Sequence, residues 1–294
     1  MAKYGKASRP KLLSHTRPAS IKKTTLPSRA TRSVIRNHHT LTKQLKSAIT
    51  RNDSATAASL QAEMEAKGGL AKYQEASIQG QSLQRGGDSS RVLIRWLAEL
   101  LPPELHAGKQ ERKLRLLEVG ALRTDNHCSR SGLLSVTRID LHSQHPKIQT
   151  QDFMARPIPP SAMLQIEGFD IVSLSLVVNF VSDAVGRGEM LKRVSSYLRV
   201  PPSEYEDVAD PSLPALFLVL PAPCVTNSRY LNEERIESIM QSLGYKRIRR
   251  KISAKLVYYL WGFERSLKVE TSKSFRKKEL RGGASRNNFA IVVT

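Results

Sequence analysis

Residues 113–126, Lys-Leu-Arg-Leu-Leu-Glu-Val-Gly-Ala-Leu-Arg-Thr-Asp-Asn, constrain the fold more than any other part of the chain. The apolar half, residues 114–119, is short, carries Glu118 near its end and stops at Gly120. A buried strand running into a turn that favours glycine has this pattern. In open parallel α/β sheets such a turn marks the carboxyl end of the first strand, where adenosine ligands bind. Asp140 lies twenty residues after Gly120, at the end of a second apolar stretch with Val136 and Ile139. An acid at that spacing receives ribose hydroxyls.

The rest of the chain supports an α/β fold. A short strand is predicted around Ile148, leading into Gln151, Asp152, Phe153 and Met154. Residues 169–178 are the most apolar segment and read as a central strand buried on both faces. Asp183 can cap a helix that reaches about Leu198, and residues 215–220 form another buried strand. Residues 231–243 make an amphipathic helix ended by Gly244. Residues 255–261 and 288–293 are read as two further strands, an antiparallel pair at one edge. Strands alternating with helices predict a mostly parallel sheet covered on both faces. Ahead of it, Leu41, Leu45, Ile49, Leu60 and Met64 give residues 34–83 a helical pattern broken at Gly68-Gly69. Gly86-Gly87 form a loop, with Asp88 as N-cap of a helix over residues 89–101. In that loop Arg85 is a candidate to reach a ligand carboxylate. The expected division is a basic disordered tail at 1–33, a helical extension at 34–110 and the α/β domain at 111–294.

Acids follow three successive strands: Glu118, Asp140 and Asp152. In such sheets the ligand sits outside the carboxyl ends of the strands. Asp140 would take the ribose, and Asp152 the adenine amino group, with Phe153 along the ring. Glu118 would orient the turn or meet a cationic amine. A dinucleotide needs a Gly-x-Gly-x-x-Gly turn so that backbone can approach its pyrophosphate. Here Ala121, Leu122 and Arg123 follow Gly120, so the later glycines are missing. S-adenosylmethionine has no phosphate and fits the turn better.

Charge narrows the partner. The chain of 294 residues carries a net charge of +21, which predicts affinity for a polyanion such as nucleic acid. Residues 1–50 hold twelve Lys or Arg and no Asp or Glu. No apolar run approaches the ~20 residues of a membrane span, and no membrane partner is expected. Cys128 and Cys224 give no disulfide framework and fit a reducing compartment. His127, Cys128, His142 and His145 match no strong zinc-ligand spacing, so no metal is expected. Cys224 after Pro223 raises a thiolate chemistry, as used on cytosine C5.

Several segments together resemble a known family. They are Leu116-Leu-Glu-Val-Gly120, Arg138-Ile-Asp-Leu141, Gln151-Asp-Phe153, residues 170–181, residues 223–230 and the stretch from Gly80 to Ser90. They resemble the fungal large-subunit (25S) ribosomal RNA adenine-N1 methyltransferases. The resemblance covers roughly residues 73–261. It implies a Rossmann-like seven-stranded methyltransferase sheet, S-adenosyl-L-methionine as donor, and a nuclear, nucleolar site of action on ribosomal RNA and pre-ribosomal particles. It carries Gly120 and Asp140 over as donor-binding positions. Animal relatives sense the donor without transferring it, so a silent sensor with a protein partner is the alternative. The basic tails favour the enzyme, which is expected to be a monomer.

Adenine N1 has an in-plane lone pair and needs no strong base; positioning is the main demand. A paired adenine hides N1, so the base must be single-stranded or flipped out. Methyltransferases place the base pocket at the end of the fourth strand, here residues 175–180. Asn179 offers an amide oxygen to N6, and Phe180 a stacking face.

Overall fold

A computed structural model describes residues 27–80, 88–101, 113–143, 145–199, 213–264 and 274–294. The basic tail as far as residue 26, Arg85 and the first part of the basic segment 265–286 lie outside the described residues. Seven strands form one sheet: β1 (Leu114–Val119), β2 (Leu134–Asp140), β3 (Gln149–Thr150), β4 (Ile171–Ser175), β5 (Ala215–Pro221), β6 (Tyr245–Ile252) and β7 (Leu256–Phe263). Their order across the sheet is β3-β2-β1-β4-β5-β7-β6. Pairs from β3 to β5 are parallel, while β7 runs antiparallel to both β5 and β6. The sheet is the seven-stranded one that the resemblance implies.

Strand alternation explains why both faces are covered. Leu117, Val172, Leu174, Leu216 and Leu218 join a core that includes Met190, Leu191, Ile236 and Met240. Those last four lie on α7 (Ala184–Val194), which follows the short α6 (Leu164–Glu167), and on α9 (Glu233–Ser242), which follows the short α8 (Pro223–Thr226). Leu116, Ile171, Phe217 and Val219 face the other way, onto Leu93, Trp96 and Leu97 of α4 (Ser90–Leu100). Asp183 and Asn232 cap α7 and α9, accepting from Gly186 N at 2.6 Å and Arg235 N at 2.8 Å.

Ahead of the sheet lie α1 (Ser28–Thr50), α2 (Ser54–Ala66) and α3 (Gly69–Gly80); α1 starts inside the segment expected to be a disordered tail at 1–33, and α4, expected within the 34–110 extension, packs on the sheet instead. The break between α1 and α2 escapes the apolar pattern. Asn52 is left-handed there (φ 57°), and Asp53 caps α2 through Thr56 N at 3.0 Å. The edge pair expected from residues 255–261 and 288–293 needs correction: 255–261 pairs with β6, a strand not expected from the sequence. The eight residues of β6, Tyr-Lys-Arg-Ile-Arg-Arg-Lys-Ile, form a strand despite their charge, because an edge strand leaves such side chains in water. Residues 288–293 are not a strand. They lie as an extended strap on α7, with Val292 N donating to Ala184 O at 2.9 Å and a single bridge between Phe275 and Val293.

Candidate active site

The carboxyl ends of β1, β2 and β4 build the site. Gly120 leaves β1 with φ +72°, a conformation that costs other residues about 1–2 kcal/mol. A Cβ there would stand 2.8 Å from Val177 Cγ2. The chain after β4 therefore crosses directly against the Gly120 turn. Leu176 makes that crossing possible. It is a left-handed leucine (φ 58°), fixed by its N–H on Val219 O at 2.9 Å. Such strain persists only where surrounding structure imposes it, and it clusters at functional sites. A turn of 3₁₀ helix, Val178–Phe180, follows immediately.

Behind the Gly120 turn, Glu118 is largely buried. Asn126 Nδ2 donates to its Oε1 at 2.6 Å, and Arg138 Nε stands 3.9 Å from its Oε2. Burial pushes its carboxyl up to about 7; the Asn126 bond and Arg138 oppose that shift. Asn126 also caps the single-turn α5 (His127–Arg130), so one side chain fixes both the acid and the loop after β1. Asp88 completes the wall. Its Oδ1 accepts from Ser90 N at 2.8 Å and its Oδ2 from His127 N at 2.9 Å. Asp88 thus ties α4 to the β1–α5 loop and, through Ser90 N, also supplies the side-chain cap of α4 expected from sequence; the backbone of Ser89 is already helical and its side chain makes no cap hydrogen bond. Ser89 Oγ meets Ser175 Oγ at 2.6 Å, which closes the cleft floor onto β4.

Asp140 ends β2, where Oδ1 accepts from His142 N at 2.9 Å. Its Oδ2 accepts no hydrogen bond among the described residues. Asp152 is exposed, with Oδ1 accepting from Met154 N at 2.8 Å. Phe153 departs from expectation. It is 2% exposed, with its ring against Tyr197 at 5.3 Å in the main core, and so turns no face to a ligand.

The extension supplies what sequence reasoning missed. His39 of α1 lies 4.2 Å from Phe180 between ring centroids, and Tyr73 of α3 meets the same ring edge-on at 5.8 Å. His38 stacks on the far side of Tyr73 at 4.4 Å. Burial, and then His38, lowers the His39 imidazole to about 4, so it is neutral at physiological pH. Burial raises the Tyr73 phenol to about 12, and the nearby Asp140 carboxylate adds to that rise. Tyr73 thus stands beside both the acid of β2 and the aromatic of the β4 segment. Lys46 Nζ–Asp183 Oδ2 at 2.9 Å and Gln74 Nε2 on His142 O at 2.8 Å fasten the extension to the domain. Asn179 Oδ1, beside this cluster in sequence, is buried without a hydrogen-bond partner among the described residues. No local signal in the sequence joins His39 or Tyr73 to a residue more than a hundred positions away.

These residues fit S-adenosylmethionine. Gly120 lines a cleft together with Asp88, Glu118 and Ser175. A carboxylate oxygen is available at the ribose position, and a largely buried acid can face an amine. Cys224, the thiolate candidate, does not fit its chemistry: burial pushes its thiol up to about 12, which keeps it protonated.

A sheet of this order with this strand-end site defines an α/β methyltransferase. A family model described as 25S rRNA (adenine(2142)-N(1))-methyltransferase, Bmt2, matches residues 58–291, and the chain belongs to that family. A relative from Schizosaccharomyces pombe, the 25S rRNA adenine-N(1) methyltransferase, is 38% identical over 259 residues, which are 88% of this chain and 89% of the relative. The Saccharomyces cerevisiae 25S rRNA (adenine(2142)-N(1))-methyltransferase is 34% identical over 230 residues, 77% of this chain and 60% of that longer protein. Among solved structures, an O-methyltransferase family protein from Burkholderia thailandensis aligns with a TM-score of 0.40 at 10% identity over 67% of this chain and 61% of its own. The 16S rRNA methylase RmtB aligns with a TM-score of 0.38 at 12% identity over 84% of this chain and 95% of its own.

Proposed function

We propose that the chain transfers a methyl group from S-adenosylmethionine to N1 of an adenine in large-subunit ribosomal RNA. It would act as a monomer on pre-ribosomal particles in the nucleolus. The observation that carries this reading is the contact between the Gly120 turn and the segment that bears Asn179 and Phe180. It supports the reading because the turn assigned to the donor and the segment assigned to the base are direct neighbours.

When bound, the donor supplies an electrophilic sulfonium methyl. Gly120 would line its cleft, and Asp140 Oδ2 would accept from its ribose hydroxyls. Asp152 is assigned its adenine amino group, and Glu118 its cationic amine or the support of the turn. Arg85 keeps its assignment to the carboxylate. Phe180 would stack the target adenine, with His39 and Tyr73 backing the stack. Asn179 Oδ1, without a hydrogen-bond partner among the described residues, would accept from the adenine N6 amino group. These contacts would orient N1 for attack, which is the main demand of the reaction. The N1 lone pair would form the new N–C bond as the S–C bond breaks, with the positive charge passing from sulfur to the adenine. No general base is needed for that step. The neutral His39 ring and the Asn179 carbonyl leave the product cation without a repelling charge.

The test is transfer of labelled methyl by the full chain to large-subunit rRNA that lacks the modification, with the product identified as N1-methyladenosine by nucleoside mass spectrometry. Donor binding without transfer would sink the enzyme and leave a donor-binding protein. Asn179→Ala is expected to lower kcat by up to about tenfold at unchanged donor affinity, the worth of one hydrogen bond of ~0.5–1.5 kcal/mol. Full activity in that variant would refute the base assignment.

Glu118 gives the donor step a pH dependence. Its folded carboxyl is raised from 4.5 to about 7. Protonation thus favours the folded state; the contribution is full below 4.5 and is lost as pH rises through about 7. A cationic amine needs the ionised form. Donor affinity should therefore rise as pH goes from about 5.5 to 7, before the donor's own amine titrates near ~7.7. Calorimetry should also show proton release on binding below pH ~7. Glu118→Gln should flatten the profile, and a wild-type profile already flat would separate Glu118 from the amine.

A further inference from the structure

We propose that the tip of the β6–β7 hairpin is a phosphate-binding surface that leads the RNA strand to the rim of the site. The inference deepens the methyltransferase reading above and rests on it.

Topology places the tip. Since β7 is antiparallel to both β5 and β6, β6 runs parallel to β5 and β4. Its carboxyl end therefore opens on the sheet edge that carries Asn179 and Phe180. The register agrees: Lys251 pairs with Tyr258, which pairs with Val219 near the end of β5. Three strand spacings separate β6 from β4, about 14 Å at ~4.8 Å each. That is roughly four steps of a strand stacked at ~3.4 Å.

Charge separates the two ends of the strand. Residues 245–255 hold Lys246, Arg247, Arg249, Arg250, Lys251 and Lys255 and no acid. At the amino end, away from the site, Lys246 is 3.6 Å from Glu264 and Arg247 is 3.0 Å from Glu237. Arg250 is held by Glu233 at 2.8 Å. At the tip, Lys251 and Lys255 are exposed and have no ion pair among the described residues. Ile252 lies between them, 40% exposed. An exposed isoleucine adds nothing to solubility but can pack on a sugar or base.

The tip is also held in place. Ser253 N donates to Leu256 O and Ala222 N to Lys255 O, each at 2.8 Å, so the turn is fastened to the loop after β5. The same loop carries Tyr230, with Lys277 Nζ 4.3 Å from its ring centroid. Exposed Arg276, Lys277 and Lys278 thus continue the basic surface along the rim. A rigid, unpaired, cationic turn at this distance from a base pocket fits an RNA backbone, whose phosphates it can contact without reading sequence.

The experiment compares Lys251→Glu with Lys246→Glu in the full chain. Both positions are exposed on the same strand, and both changes alter charge by two. Binding to a large-subunit rRNA transcript is measured across a salt series, beside methyl transfer, donor affinity and melting temperature. Lys251→Glu is expected to weaken RNA binding at least about fivefold and to flatten the salt slope by at least ~0.7. The RNA KM should rise by a similar factor, with kcat at saturating RNA and donor affinity unchanged. Lys246→Glu should change RNA affinity less than about twofold. Equal losses in the two variants, or none in Lys251→Glu, would overturn the surface. Absence of methyl transfer by the native chain would instead overturn the enzyme reading, while the two affinities still report on the surface.

Discussion

Asp140→Ala is expected to weaken S-adenosylmethionine binding by about a hundredfold or more. The carboxylate stands at the end of β2, where its Oδ1 accepts from His142 N at 2.9 Å and Oδ2 remains available to a ligand. Two ribose hydroxyls on a charged acceptor are worth ~1.5–3 kcal/mol each, or about 10²–10⁴ in affinity for the pair. The fold loses less. The His142 bond is solvent-exposed, and its removal should cost no more than about 1 kcal/mol. Titration calorimetry checks the first figure and a thermal melt the second. A loss in affinity under threefold, with the melt unchanged, would place the ribose elsewhere.

The largest stability effect is expected from Gly188→Ala. Gly188 lies in α7, where the strap crosses the helix. A Cβ there would stand 1.8 Å from Val292 O, far inside contact distance. Backbone cannot yield as a flexible side chain does, so helix and strap must separate. The Val292 N bond to Ala184 O would go, and so would the 2.7 Å bond from Arg187 to Ala290 O. Overpacking of this kind costs ~1–3 kcal/mol or more, a fall in Tm of roughly 2–6 °C or more for a chain of this length. Limited proteolysis should then cut near residue 290 at a protease level the native chain resists. Gly282→Ala is the control, because its nearest neighbour is Glu279 Oε1 at 3.8 Å. Equal melts for the two variants would refute the strap's contribution.

β4 and β5 were legible because each is an apolar run buried on two faces, whereas β2 showed only through Leu134, Val136 and Ile139 and the two exposed residues of β3 only through the neighbouring Ile148. The places of Gly120 and Asp140 at the ends of β1 and β2 were legible for a related reason. The chemistry of a strand end depends on a few adjacent residues and their spacing. Edge elements were not legible in the same way. β6 shows little alternation, since half its neighbours are water, while Phe289 to Val293 has the composition of a strand and, among the described residues, no strand to pair with along its length. Phe153 was misread because a ring just past a strand end can turn inward or outward, and only packing against Tyr197 decides. The left-handed Leu176 has no sequence signal at all: leucine is a poor residue for that conformation, and tertiary contacts impose it. His39 and Tyr73 needed the docking of three helices that propensity alone does not orient.

Arg281 bears on how the rim of the site is held. Its guanidinium donates to the carbonyls of Val225, Thr226, Ser228 and Leu231, at 2.7 to 3.1 Å. Those oxygens belong to the loop after β5, the same loop that Lys255 O fastens to the hairpin. A cation from 50 to 56 residues further on is what gathers them. Closing so long a loop carries an entropic cost that these contacts must offset. The shape of the rim, where RNA would enter, therefore depends on one distant side chain, whereas the Gly120 turn is held by the strands beside it.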